Sequence, residues 1–175
     1  MVGPFTAYHR KIEECVGKHA DMLLRVAFMY VKNISDAEDI VQEVFLRLVK
    51  EYPPFESEEH EKAWLIRVAV NLNKNRLKTA WFRKTEPIHD MCGQSDLPDA
   101  AVTFSVEEKF VVDAVMQLPP KYRNVILLYY HEGYSIREIS RILGKKESTV
   151  SSQLQRARAR LKSILKEDFD HEGLV

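Results

Sequence analysis

The sequence is poor in the features that staple a fold, span a membrane or carry out chemistry. Cys15 and Cys92 are its only cysteines. They lie far apart and outside any CxxC, so neither a disulfide framework nor a zinc knuckle is expected, and a reducing cytoplasm is the natural compartment. Every apolar stretch is soon broken by a charge, which excludes a bilayer-spanning helix. The first residues, MVGPFTAYHRKIEEC, lack the basic-then-apolar order of a secretory signal, and none is expected. Alternating polar and apolar runs are missing, so strands are not expected. There is no glycine-rich phosphate loop, no nucleophile motif and no carboxylate pair that spacing would force together. The six histidines are scattered, and none is expected to have a cysteine or a second histidine at ligand spacing, so no metal and no cofactor are predicted.

Net charge is also missing, with 26 basic and 26 acidic side chains among 175 residues. A protein gripping duplex DNA unaided usually carries a basic excess, because phosphate neutralisation supplies much of the affinity. Here the charges are sorted. Acid gathers in DAEDIVQE, ESEEHE and EDFDHEGL; base gathers in KNRLKTAWFRK and RARARLK. Sorted charge on a neutral whole points to two kinds of partner, one of them anionic.

What is present is helical periodicity. Four helices are expected in the first half, near 5–16, 20–32, 36–51 and 59–80. Four more are expected near 106–117, 120–131, 135–143 and 147–166. Serine and glutamate three apart suggest capping boxes at Ser35–Glu38, Ser105–Glu108 and Ser135–Glu138, and Pro119-Pro120 suits a first helical turn. The stretch EPIHDMCGQSDLPDA, with two prolines, a glycine and no apolar period, reads as a linker that carries Cys92. The predicted fold class is all-α, two small helical bundle domains (1–85 and 105–175) joined by a flexible linker (86–104), the C-terminal one a helix-turn-helix.

That helix-turn-helix is YSIREISRILGKKESTVSSQLQRARARL. Ile136, Ile139 and Leu143 stripe its first helix, Gly144 supplies the turn, and Val150, Leu154, Ala157 and Leu161 stripe the second. In such a hairpin the start of the second helix enters the major groove. The opposite face offers Ser152, Gln155 and Arg156, with Ser151 at its edge, as groups able to bond base edges or phosphate. Arg158, Arg160 and Lys162 lie farther along and suit backbone contacts. A solvated basic helix in a protein interface is the plainer alternative.

In the first half, Val41, Val44, Phe45 and Leu48 form an expected buried stripe, with Asp39, Gln42, Glu43 and Leu46 beside or opposite it. That acidic face is either solvated or a protein-docking surface. On the next helix, Leu65, Val68, Ala69 and Leu72 share one face while Arg67, Asn71, Lys74 and Lys78 share the other. This basic ridge runs from Trp64 to Trp81 and Phe82. Basic residues interleaved with aromatics suit single-stranded nucleic acid; Trp64 as a core anchor is the competing reading.

DAEDIVQEVFLRL, AWLIRVAVNLNKNRLK and LPPKYRNVILLYYHEGYSIREISRILGKKESTVSSQLQRARARL, in that order, resemble bacterial RNA polymerase sigma factors of the extracytoplasmic-function group. The resemblance covers nearly the whole chain apart from the linker and the ends. It implies a non-enzymatic initiation factor whose partners are core RNA polymerase, promoter DNA and an anti-sigma protein, with no small-molecule substrate. Asp39, Gln42, Glu43 and Leu46 would dock on the polymerase. Phe55, Trp64, Arg67, Asn71, Lys74 and Lys78 would read and open the −10 element, with the loop Phe55–Glu61 holding an unstacked base. Ser151, Ser152, Gln155, Arg156 and Arg160 would read the −35 element. The chain departs from the family where Lys146 replaces a common N-cap serine, and Ser148 is the expected substitute cap. Ser151 and Gln153 stand where basic residues are common, and ESEEHE is unusually acidic for a loop that faces DNA.

Overall fold

The computed structural model describes residues 4–83 and 106–172, with side chains described for 8–76 and 111–166. Among the described residues every regular element is a helix, and the helices fall into two compact units, α1–α3 and α4–α7.

In the first unit, α1 (Pro4–Val31) is one continuous helix, where the sequence pattern suggests two. Gly17 lies inside it with ordinary helical backbone and open space around its Cα. An interior glycine costs about 1 kcal/mol relative to alanine. The apolar stripe outweighs this, because Cys15, His19, Met22, Leu23, Val26 and Tyr30 recur at helical spacing on both sides of Gly17 and are all buried. Each fully buried side chain of valine or leucine size contributes about 1.5–3 kcal/mol.

The turn into α2 (Ile34–Glu51) is tight. Lys32 takes a left-handed φ of 57° and its amide bonds to Phe28 O, and Asn33 Oδ1 then accepts the Asp36 amide at 2.9 Å. Asn33 is therefore the cap, and the expected Ser35–Glu38 box does not form because Ser35 already lies within the first turn. At the other end the Tyr52 amide closes on Leu48 O, and Pro53-Pro54 cannot continue the helix. α3 (Glu58–Arg83) starts where Ser57 Oγ accepts the His60 amide, with Glu58, Glu59 and Glu61 in the first turn at the positive end of the helix dipole.

The three helices pack pairwise on one another. The buried stripes are rotated by about a residue from those expected. On α2 the centre is Ala37, Ile40, Val44 and Leu48, while Val41 and Phe45 are half-buried. On α3 it is Leu65, Ile66, Ala69, Val70 and Asn73, while Val68 and Leu72 flank it. An asparagine can occupy this centre because its Nδ2 donates to Ala69 O one turn back. That bond hid the position from a hydrophobic count.

In the second unit, α4 is Val106–Met116, and the expected cap Ser105 lies outside the described residues. α5 (Pro120–Ile126) starts with Pro119 at the N-cap and Pro120 inside the first turn, as expected. It continues as a π-wound turn, Leu127–His131, in which the Glu132 amide reaches back to Leu127 O. α6 (Ile136–Leu143) has the expected capping box: Ser135 Oγ accepts the Glu138 amide and Glu138 accepts the Ser135 amide at 2.8 Å. Gly144 at φ 62° supplies the left-handed residue that closes α6. α7 (Glu147–Glu172) runs six residues past its expected end. Its N-cap position is Lys146, whose carbonyl accepts the Thr149 and Val150 amides, so Ser148 lies within the helix and does not take the cap position. Ile139, Leu143, Val150, Leu154 and Ala157 are buried between α6, α7 and α5.

Replacing Ser135 by alanine should destabilise the full chain by about 1 kcal/mol, measured by urea unfolding. The Ser135 hydroxyl and amide hold the Glu138 carboxyl below the usual carboxylate range. The contribution of that carboxylate is complete above the unfolded glutamate pKa, and it is lost as pH falls through the depressed folded value. The stability gap between the native chain and Glu138→Gln should therefore shrink on acidification below about pH 4.

Candidate functional site

The start of α7 presents one polar ridge. Ser151, Gln155 and Arg156 are exposed, and Ser152 beside them is half-buried with its hydroxyl donating to Thr149 O. Val150, Leu154 and Ala157 bury the opposite face, so the ridge is held out from the unit by the packing of its own helix. Gln153 is turned inward and accepts Lys145 Nζ at 2.9 Å, which fixes the turn before the helix. The later arginines are tied to tyrosines. Arg158 Nε donates to Tyr130 Oη at 2.6 Å and its guanidinium lies 5.4 and 5.5 Å from the Tyr129 and Tyr130 rings. Arg160 lies 5.5 Å from the Tyr122 ring. Sequence reading missed these pairs, because the partners sit on α5 and its π-wound end and the extra residue in that turn changes which way they face.

The first unit carries two surfaces. On α2, Gln42, Leu46 and Val49 are exposed, Leu46 at 53% and Val49 at 46%, directly across from Ile40, Val44 and Leu48. Asp39 and Glu43 belong to the same face and already have intramolecular partners. Arg76 of α3 lies 3.0 Å from Asp39 and 3.3 Å from Asp36, and Arg47 lies 3.4 Å from Glu43. Val49 is an addition to the expected docking residues; it stands three residues after Leu46, the spacing that would have found it.

On α3, Arg67 and Asn71 are exposed and Lys74 is half-buried on the same side; the Lys78, Trp81 and Phe82 side chains lie outside the described residues, as does Cys92. Phe55 and Trp64 are brought together, ring centroids 5.8 Å apart, in an aromatic cluster that includes Tyr52 and His60. Trp64 is half-buried, an edge of the core and an edge of the surface at once. Residues 58–61 of the expected Phe55–Glu61 loop are the first turn of α3, because Ser57 caps the helix there.

An open cleft of about 420 Å³ lies beside this loop, lined by Tyr52, Pro53, Phe55 and Ser57 and reaching Cys15 and Glu61. Behind it, Cys15, His19 and Glu61 bring their donor atoms within 4.8 Å of one another. This corrects the expectation that no histidine has a cysteine at ligand spacing: Cys15 and His19 are one turn apart on α1. The signal was legible as i and i+4, but the third member comes from another helix. Burial, then the charge of Glu61 and its hydrogen bond, push the Cys15 thiol up to about 12, and Lys18 acts weakly the other way.

A glycine-turned helix pair with a polar ridge on its second helix, in a chain that also holds a separate three-helix unit, defines a DNA-binding protein of the helix-turn-helix class. Comparison with known proteins narrows this. Residues 15–83 match sigma-70 region 2 and residues 111–161 match sigma-70 region 4. The ECF RNA polymerase sigma factor SigM of Mycobacterium tuberculosis is 34% identical over 149 residues, 85% of this chain and 74% of SigM. The RNA polymerase sigma-E factor of Streptomyces avermitilis is 33% identical over 171 residues, 94% of this chain and 90% of that one. Among solved structures, the sigma factor RpoE of Bartonella quintana, crystallised with the anti-sigma factor NepR, shares the fold at a TM-score of 0.65 and 22% identity, over 91% of this chain and 97% of that chain. The chain belongs to the extracytoplasmic-function group of the sigma-70 family of RNA polymerase sigma factors. It is a non-catalytic initiation factor that directs RNA polymerase to promoters through regions 2 and 4. Among the described residues no helix is long and apolar enough to cross a membrane.

Replacing Arg76 by alanine should cost the native fold less than about 1 kcal/mol, since its pairs with Asp36 and Asp39 are exposed. The difference should fade in high salt when followed by thermal melting.

Proposed function

We propose that residues 1–85 dock on core polymerase and read and open the −10 element, that residues 105–175 read the −35 element, and that 86–104 link them in a cytoplasmic factor. The observation that carries the docking assignment is the α2 face. Two large apolar side chains, Leu46 and Val49, stand in solvent beside Gln42, although the opposite face of the same helix is fully buried. Exposed apolar groups rimmed by polar ones are the usual mark of a protein contact. Asp39 and Glu43 complete the face as charges held in place by Arg76 and Arg47, which reduces the entropy lost on docking.

For the −10 element the described ridge is Arg67, Asn71 and Lys74, on the helix that also carries Trp64, and Lys78 continues the assignment by sequence. A base turned out of the stack needs an aromatic surface and a cavity, and the cleft beside Phe55 offers both. For the −35 element, Ser151, Gln155 and Arg156 face outward at the end of α7 that enters the groove in helix-turn-helix proteins. Ser152 adds a hydroxyl at the rim, and Arg160 farther along suits phosphate. An anti-sigma protein is a further partner on this reading, supported by the fold shared with a sigma factor that was solved bound to one.

The deciding experiment is binding of the full chain to bacterial core RNA polymerase, followed by promoter selection from a pool of genomic fragments. Tight binding with fragments enriched for two spaced motifs is the expected result. Replacing Gln42 and Leu46 together should weaken binding to core polymerase while the helix content of the chain is kept; unchanged affinity removes them from the docking face. Arg156→Ala should weaken promoter binding by the assembled enzyme by about 1–3 kcal/mol at one base position. An equal loss on all sequences reassigns it to phosphate.

A further inference from the structure

We propose that Cys15, His19 and Glu61 form a binding site for a borderline transition-metal ion, Zn²⁺ first among them, which clasps α1 to the start of α3. Three observations converge on it. The three donor atoms lie within 4.8 Å of one another, with His19 Nε2 and Glu61 Oε1 only 3.2 Å apart. A tetrahedral zinc sphere sets a nitrogen and an oxygen ligand about 3.4 Å apart and a sulfur about 3.6 Å from either. Only small side-chain rotations separate the present geometry from that one.

The donors also have the right chemistry. One sulfur, one imidazole nitrogen and one carboxylate oxygen select zinc, cobalt, nickel or copper over magnesium and calcium, which prefer all-oxygen sites. Cys15 and His19 are almost wholly buried, at 3% and 5% exposure, so packing preorganises two of the three ligands.

Finally, there is an entry path and a charge that favours it. Cys15 and Glu61 line the open cleft, whose walls also carry Glu14, Glu56 and Glu58 against Lys11 and Lys18. Lys18 is paired with Glu58 at 3.2 Å. The local field therefore draws in cations. Three protein ligands leave a fourth position towards the cleft for water or an incoming ligand, the arrangement of an open zinc site.

Binding replaces a proton by the metal. The S–H bond of Cys15 breaks, its sulfur bonds to the ion, and the proton leaves to solvent, while the imidazole of His19 and the carboxylate of Glu61 each donate a lone pair. Once that proton has left, the Cys15 thiolate and the Glu61 carboxylate are two anionic donors, and the divalent ion neutralises both. Because Glu61 lies in the first turn of α3, the ion would also anchor the loop at Tyr52–Ser57. The site assignment stands whether or not that loop reads the −10 element.

The test is Co²⁺ and Zn²⁺ titration of the purified, metal-stripped full chain. The expected result is one Co²⁺ per chain with a thiolate-to-cobalt charge-transfer band, displaced by Zn²⁺. The band should survive in Cys92→Ser and vanish in Cys15→Ala. Glu61→Gln, which keeps the shape of the side chain, should weaken binding by roughly tenfold or more. Zn²⁺ should raise the melting temperature of the native chain more than that of Glu61→Gln at the same concentration. No charge-transfer band, or a band lost in Cys92→Ser and kept in Cys15→Ala, would overturn the proposal. So would equal affinity in the native chain and Glu61→Gln.

Discussion

The continuous stripe of α1 is the constraint on which the first unit rests. This one helix packs against both α2 and α3, and its buried face sets where each of them turns outward. With Ile40, Val44 and Leu48 committed to the core, Gln42, Leu46 and Val49 are left in solvent. With Ile66, Val70 and Asn73 committed, Arg67 and Asn71 are left there too. The surfaces that meet polymerase and promoter on the proposed reading are thus the remainder of a packing solution. Changing a core residue by one position along either helix would rotate its outward face by about 100°.

The same logic governs how much could be read from the sequence. The all-helical class, the helix-turn-helix and the polar ridge on α7 were legible because each depends on short-range signals: a serine–glutamate box, a glycine needing positive φ, and apolar residues at helical spacing. The signals failed where a longer-range term decided. Gly17 looked like a break, but tertiary burial on both sides of it outweighs its propensity. Ser35 looked like a cap, but the left-handed Lys32 shifted the start of α2 to Asn33. Asn73 carries no hydrophobic signal, yet it is buried, with its Nδ2 donating to a backbone carbonyl within its own helix. The grouping of Cys15 and His19 with Glu61 was half visible, since only the pair on α1 shares a periodicity.

Charge tells a related story. The chain is neutral as a whole, yet its arginines are not interchangeable. Arg156 stands exposed on the ridge, Arg158 and Arg160 lie against tyrosines, and Arg76 and Arg47 hold the carboxylates of α2. Arg47 and Arg76 are thus committed to carboxylates within the fold, and on the proposed reading Arg156 and Arg160 are left to meet the DNA. On that reading a neutral chain gains much of its promoter affinity from the contacts that the polymerase adds.

The π-wound turn at Leu127–His131 bears on how this gene can change. It accommodates one residue more than an α-helix would, just ahead of the Gly133–Ser135 segment that launches α6. Deleting a single codon there would let the turn relax to ordinary α winding and absorb the loss, leaving the residues of α6 in register. The same deletion inside α6 has no such slack and would turn the buried Ile139, Ile142 and Leu143 away from the core. The turn is therefore where this unit can lose a residue at least cost.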